Sequence, residues 1–275
     1  MMKTAILGGG KIGEALLAGL IGGGQQANTI HVTNRDSDRG RELTETYGIT
    51  HFTDNAAAVA DMDVVFVCVK PADTVRVLQE VSATLDTNDS DTLVVSMAAG
   101  IPIAALEDVV SAGTPIVRVM PNTPMLIGHG MSAVARGRFV SDDQLDKITE
   151  LLETVGDVAV VEESKMDAVT AMSGSSPAYL FLVAEAMVDA GVNLGLDRQL
   201  AGELVISTLE GAAAMMKESD QEPVELKNDV CSPGGTTIAA VRALEEAGIR
   251  AALFRATQAC AHRSAELGAQ LAPPR

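Results

Sequence analysis

Thr4-Ala5-Ile6-Leu7-Gly8-Gly9-Gly10-Lys11-Ile12-Gly13 is the stretch that decides the fold. Thr4–Leu7 reads as a short buried strand, Gly8-x-Gly10-x-x-Gly13 as a turn, and Lys11–Leu20 as the amphipathic helix that follows. Gly8 permits the tight turn, Gly10 lets backbone N–H groups approach a pyrophosphate, and Gly13 lets the helix lie close to the sheet. The helix N-terminus adds positive potential. Gly8, Gly10, Lys11, Ile12 and Gly13 are therefore candidates for binding a dinucleotide.

The same alternation continues along the chain. Ile30–Thr33, Val64–Val69, Leu93–Ser96, Ile116–Val119 and Met131–Ala135 are short, rich in Val and Ile, and bounded by Gly, Pro or polar turns. They read as buried parallel strands. Amphipathic stretches such as Thr74–Thr84 lie between them, which predicts a doubly wound α/β sheet. After Asp157–Val161 the pattern changes to long Ala- and Met-rich helical segments, interrupted at Gly174, Gly195, Pro223 and Gly234. The expected division is 1–161, a nucleotide-binding α/β domain, and 162–275, all helical. Ala178–Val192 and Ala201–Met216 carry apolar residues on more than one face, so something must cover them. A second copy of the chain is the simplest cover. The Ala272-Pro273-Pro274-Arg275 tail reads as disordered.

Composition narrows the function. In 275 residues, 47% are hydrophobic and 21% charged, a globular balance with only 3% aromatics and no Trp. No run of about 18 apolar residues exists to span a membrane. Three glycines and Lys11 interrupt the N-terminal apolar run where a leader needs more length, so a cytoplasmic protein is expected. Twenty basic against 37 acidic residues give a net charge of -17 and a pI near 4.5. That balance argues against nucleic-acid binding. With only 7 Lys beside 13 Arg, it also reads as adaptation to high salt, where self-repulsion is screened. Cys68, Cys231 and Cys260 form no Cys-x-x-Cys pair, and the four His are scattered, so neither a disulfide framework nor a metal site is expected.

The end of the second strand bears on cofactor choice. Val32-Thr33-Asn34-Arg35-Asp36 places Asn34 where NAD enzymes usually carry a ribose-binding acid, and Arg35 where a 2′-phosphate could be met. This favours NADPH, with NADH possible through Asp36. Lys70 and Pro71, at the end of another strand, point to the same cleft. Arg118-Val119-Met120-Pro121-Asn122-Thr123-Pro124 ends another strand in the same way, and its two prolines in four residues make a stiff loop suited to a wall of the site. Ser173-Gly174-Ser175-Ser176-Pro177-Ala178 breaks an apolar helix with small residues. Ser232-Pro233-Gly234-Gly235-Thr236-Thr237 feeds another helix with free N–H donors and hydroxyls beside them, an arrangement for a small carboxylate.

Along essentially its whole length the chain resembles the pyrroline-5-carboxylate reductases. The residues that carry the likeness are the glycine turn, Val69-Lys70-Pro71, Arg118–Pro124, Gly174-Ser175-x-Pro177-Ala178 and above all Ser232–Thr237. The resemblance implies a Rossmann-like N-terminal domain followed by an all-α dimerisation domain, and reduction of 1-pyrroline-5-carboxylate to proline. By the same resemblance Asn55, Val69, Lys70, Pro71 and Ala98 match cofactor-contacting positions. Ser232, Gly235, Thr236 and Thr237 match the loop for the substrate carboxylate, with the Thr237 hydroxyl beside the ring nitrogen. It implies a homodimer with interleaved helical domains, often five dimers in a ring. Ser176, where relatives commonly have glycine, and Asp229, where they often have Asn, depart from the pattern.

The chemistry needs little of the protein. A protonated cyclic imine is electrophilic at carbon, so holding it against a nicotinamide suffices, and no His, Cys or carboxylate constellation is required. A hydroxyacid dehydrogenase of similar build would need a Lys base on the helix after Gly174, and no Lys lies between Lys165 and Lys217. A non-catalytic nicotinamide sensor would need the glycine turn without the Ser232–Thr237 loop.

Overall fold

The computed structural model describes residues 2–88 and 91–270; the Ala272–Arg275 tail, expected to be disordered, lies outside the described residues. Eight strands form one sheet. They are β1 (Thr4–Leu7), β2 (Ile30–Thr33), β3 (Thr50–Phe52), β4 (Val64–Val67), β5 (Leu93–Ser96), β6 (Ile116–Met120), β7 (Gly130–Arg136) and β8 (Gly156–Val160). Their spatial order is β3-β2-β1-β4-β5-β6-β7-β8. The helices are α1 (Lys11–Gly22), α2 (Ser37–Tyr47), α3 (Asn55–Val59), α4 (Pro71–Leu85), α5 (Ile103–Glu107), α6 (Asp142–Glu153) and α7 (Met166–Val169). A π-helical turn, Thr170–Gly174, leads on to α8 (Ser176–Asn193), α9 (Arg198–Glu218), α10 (Pro223–Asp229), α11 (Thr236–Glu246) and α12 (Ile249–Ala269).

The strands alternate their side chains between two buried faces, as period 2 requires. Ile6, Val64, Phe66, Val95 and Val117 join Leu16, Leu17 and Leu20 of α1 in one core. Ala5, Leu7, Val65, Val67 and Val94 join Val77, Leu78 and Val81 of α4 in the other. β1 is parallel to β2 on one side and to β4 on the other, in register Thr4↔Ile30 and Thr4↔Val64. The strand order therefore reverses between β1 and β4, and an open crevice lies beyond their carboxyl ends.

The expected all-parallel sheet needs one correction: β7 runs antiparallel to β6. Residues 121–129 between them hold only a short 3-10 turn, Thr123–Ile127, and a parallel return needs a crossover of about a dozen residues or more. The strand expected over Val64–Val69 ends at Val67, and the half-exposed edge strand β3 had no apolar run to announce it. Gly174 closes the π-turn rather than opening a break, with Ser175 N donating to Thr170 O at 2.8 Å.

By compactness the chain forms two units. One extends to Ser175 and resumes at Ala259; the other is Ser176–Gln258. The change from sheet to helices follows Val160, but residues 162–175 stay with the sheet through specific contacts. Glu163 Oε1 accepts from Ile103 N at 2.6 Å and from the buried Arg118 guanidinium at 3.4 Å, and Ser264 Oγ donates to Asp167 at 2.6 Å. In the second unit α8 and α9 form an antiparallel pair whose close approach places a Gly191 Cβ, were there one, 3.0 Å from Ala201 Cβ. Phe181, Leu182, Ile206 and Phe254 of this unit are 65–69% exposed, an apolar surface that calls for a cover. No helix among the described residues is long and apolar enough to cross a membrane.

Candidate active site

The glycine turn is built by sterics. Gly8 has φ +104°, and its N–H and that of Gly9 both donate to Thr33 O, at 3.2 and 3.0 Å, tying the turn to β2. A Cβ on Gly13 would stand 2.1 Å from Gly8 O, so only glycine lets α1 start this close to the turn. Gly10 is different. A Cβ there would meet nothing within 4 Å, and it precedes α1 without any side-chain cap. The first turn of α1 thus has no side-chain cap for its N–H groups, as a site for an anion requires.

A cavity of about 330 Å³ opens at this edge of the sheet. Gly8, Gly10, Asn34, Arg35, Asn55, Val69 and Lys70 line it, all expected cofactor residues. Lys11, Ile12 and Gly13 lie beside it in the first turn of α1, and Pro71 is the first residue of α4; none of these four lines the cavity. Ala98 does not line it either and is buried just past β5, its N–H 3.5 Å from Ser96 Oγ. Thr33, Thr53, Cys68, Asp73, Arg76, Val77 and Glu80 complete the lining and are not among the expected cofactor residues. Asp73, Arg76 and Glu80 follow i, i+3, i+7 spacing on α4, of which the expected helix Thr74–Thr84 includes Arg76 and Glu80 but not Asp73.

The polar groups of the cavity are ordered. Asn34 Oδ1 accepts from Gly9 N at 3.1 Å, while its Nδ2 is buried with no partner among the described residues. Arg35 extends into solvent and pairs with Asp73 Oδ2 at 3.4 Å. Asp36 is committed elsewhere: its carboxylate caps α2, accepting from Asp38 N at 2.9 Å. The Arg76 bond, together with Arg35 and Lys70 nearby, holds the Asp73 carboxyl below the usual carboxylate range. Burial pushes the Cys68 thiol up to about 12, so it stays protonated and unreactive at neutral pH. An orphaned donor, an uncapped helix start and a glycine cradle fit a dinucleotide. No cluster of metal-ligating side chains occurs among the described residues.

The second unit holds the other candidate. Ser232-Pro233-Gly234-Gly235 forms a tight turn with Gly235 N donating to Ser232 O at 3.0 Å and Gly234 at φ +71°. A Cβ on Gly235 would lie 2.4 Å from Ser232 Oγ. Gly235 precedes α11 with no side-chain cap, so the helix begins at Thr236 and Thr237 with its first N–H groups lacking a side-chain acceptor. Thr237 is half-buried and Thr236 exposed. Asp229, at the end of α10, accepts from Gln221 Nε2 at 3.2 Å.

The proline-rich loop after β6 is held by Asn122. Its Oδ1 accepts from Met131 N at 2.8 Å, and its Nδ2 lies 3.4 Å from Ser173 O in the π-turn. Met120 fills the space a Gly174 side chain would need, its Cε 2.2 Å from that position. Loop and π-turn are thereby fixed to each other.

Comparison with known proteins gives concordant results. Residues 163–267 match the family described as pyrroline-5-carboxylate reductase dimerisation, and residues 3–100 match that described as NADP oxidoreductase, coenzyme F420-dependent. The chain is 59% identical over 268 residues to the pyrroline-5-carboxylate reductase of Corynebacterium melassecola, covering 98% of this chain and 99% of the relative. It is 44% identical over 287 residues to that of Mycobacterium tuberculosis, covering 97% of each. A pyrroline-5-carboxylate reductase structure from Coxiella burnetii matches with TM-score 0.90 at 34% identity, over 97% of this chain and 98% of that one. A pyrroline carboxylate reductase from Plasmodium falciparum with NADP bound matches with TM-score 0.87 at 29% identity, over the same shares.

Proposed function

The chain belongs to the pyrroline-5-carboxylate reductase family, and from that premise we infer how its two candidate sites divide the work. The reaction is the reduction of 1-pyrroline-5-carboxylate to proline, the final step of proline biosynthesis, and the N-terminal domain is of NADP-binding type. Identity of 59% over nearly the full length sets aside the hydroxyacid dehydrogenase and sensor readings.

NADPH, when bound, supplies the hydride. Gly8, Gly10, Lys11, Ile12 and Gly13 cradle the dinucleotide, with Asn34, Arg35, Asn55, Val69, Lys70, Pro71 and Ala98 as its further contacts. Ser232, Gly235, Thr236 and Thr237 hold the substrate carboxylate on the uncapped start of α11. The imine gains a hydride at carbon and a proton at nitrogen, and the Thr237 hydroxyl orients that nitrogen and its proton. The observation that carries this division is that α1 and α11 each follow a glycine and lack a side-chain cap. One helix start suits a pyrophosphate and the other a carboxylate.

Preference for NADPH over NADH rests on Arg35, since the competing ribose acid, Asp36, is engaged in capping α2. Arg35→Ala is expected to raise KM for NADPH about tenfold, the worth of one charge-assisted contact near the surface, and to leave KM for NADH within about twofold. Steady-state kinetics with both cofactors checks this. Equal effects would remove Arg35 as the phosphate anchor.

The match to a dimerisation domain supports the reading that a second copy of the chain covers the apolar second unit. By the family resemblance the homodimers assemble five to a ring, and a cytoplasm of high ionic strength would screen the charge of -17 on each subunit. At 0.01 M salt the Debye length reaches about 30 Å, so carboxylates repel across a whole subunit. Melting temperature and sedimentation coefficient are expected to fall in dilute buffer and recover in molar salt. Values indifferent to salt would contradict the adaptation.

A further inference from the structure

The cavity at the sheet edge carries more charge than Arg35 alone explains. Two guanidiniums from different elements, Arg35 beyond β2 and Arg76 on α4, converge on one carboxylate. Arg76 Nη2 donates to Asp73 Oδ1 at 2.9 Å, and Arg35 Nη2 lies 3.4 Å from Asp73 Oδ2. Glu80 flanks Arg76 at 3.7 Å and accepts from Asn55 Nδ2 at 3.4 Å, which holds Arg76 from its other side. All of these side chains line the cavity.

We propose that Arg76 is a second anchor for the cofactor's 2′-phosphate, and that Asp73 is a placeholder anion that keeps Arg35 and Arg76 converged until the phosphate displaces it. The proposal rests on the NADP reading of Arg35. Guanidiniums spaced to share one carboxylate are also spaced to share one phosphate, which offers three oxygens and nearly twice the charge. Two arginines brought together without a counter-ion would repel and turn away. Asp73 removes that repulsion, and its place in the first turn of α4 favours its negative charge. A dianionic phosphate outbids it for both guanidiniums. A ribose hydroxyl does not, so NADH leaves the Asp73 pairs intact. Arg76 is thus a specificity-determining residue, supplied by a helix that the glycine-turn motif does not include.

Calorimetric titration of the full-length protein with adenosine 2′,5′-bisphosphate and with 5′-AMP tests this without turnover. The exposed Arg76 side chain supports no core, so Arg76→Ala keeps the fold. It is expected to weaken bisphosphate binding about fivefold, the scale of a partly exposed charge pair, with 5′-AMP unchanged. Asp73→Asn removes the competing charge and is expected to tighten the bisphosphate about threefold, again with 5′-AMP unchanged. If Arg35→Ala weakens the bisphosphate selectively while Arg76→Ala does not, the proposal fails and the NADP reading stands. If neither variant is selective, both fail. Weaker bisphosphate binding in Asp73→Asn would overturn the placeholder role.

Discussion

Thr237→Ala should lower kcat by about a hundredfold, the scale seen when one donor to a developing charge is removed. Thr237 is in the first turn of α11, half-buried, behind a turn that Gly234 and Gly235 make possible. Gly235 at the start of that helix has no side chain to cap it, so its first N–H groups are left for a ligand. A hydroxyl that meets the substrate nitrogen as charge shifts there stabilises the transition state more than the ground state, and its loss appears in kcat before KM. Thr237→Ser keeps the donor and should keep much of the rate. A purely structural role predicts another pattern, with both variants melting earlier and neither slower once folded.

Gly13→Ala should cost both stability and cofactor affinity. The added methyl would lie 2.1 Å from Gly8 O and 3.2 Å from Ile6 Cγ2. The carbonyl cannot retreat, because Gly8 is fixed at φ +104° and its N–H is bonded to Thr33 O. The helix must move instead, at a cost of about 1–3 kcal/mol for overpacking. That shift displaces the first-turn N–H groups from the cleft, so KM for NADPH should rise by more than about tenfold. Gly10→Ala separates the two effects. Its Cβ meets nothing within 4 Å of protein, so the melting temperature should hold while KM rises. Wild-type behaviour of Gly13→Ala in thermal melts and kinetics would contradict this account of the turn.

What the sequence discloses is local. Thr4–Leu7 and the glycines after it carry their conformation in their own residue types, and so does Ser232–Gly235. The edge strand Thr50–Phe52 was not legible because its two polar residues and one aromatic ring make no apolar run. The reversed direction of β7 follows from the short link across residues 121–129, a constraint that strand composition does not express. Arg118 falls within the expected strand Ile116–Val119, but its burial at 5% exposure and its pairing with Glu163, 45 positions away, are not expressed by the strand itself. Asp73 and Arg76 were missed for a related reason. Their meaning depends on Arg35, which reaches Asp73 only after the sheet has formed, and no short window of sequence contains all three.

The claim at the centre of this account is that the start of α11 holds the substrate by its carboxylate while Thr237 serves its nitrogen. Single-turnover hydride transfer to 1-pyrroline-5-carboxylate, measured for Thr237→Ala beside the Kd of a cyclic carboxylate such as pyrrole-2-carboxylate, tests it most directly. The expected rate is about a hundredfold lower, with the Kd within about twofold of wild type because Ser232 and the backbone of Gly235 still hold the carboxylate. An undiminished rate in the folded Ala variant would contradict it.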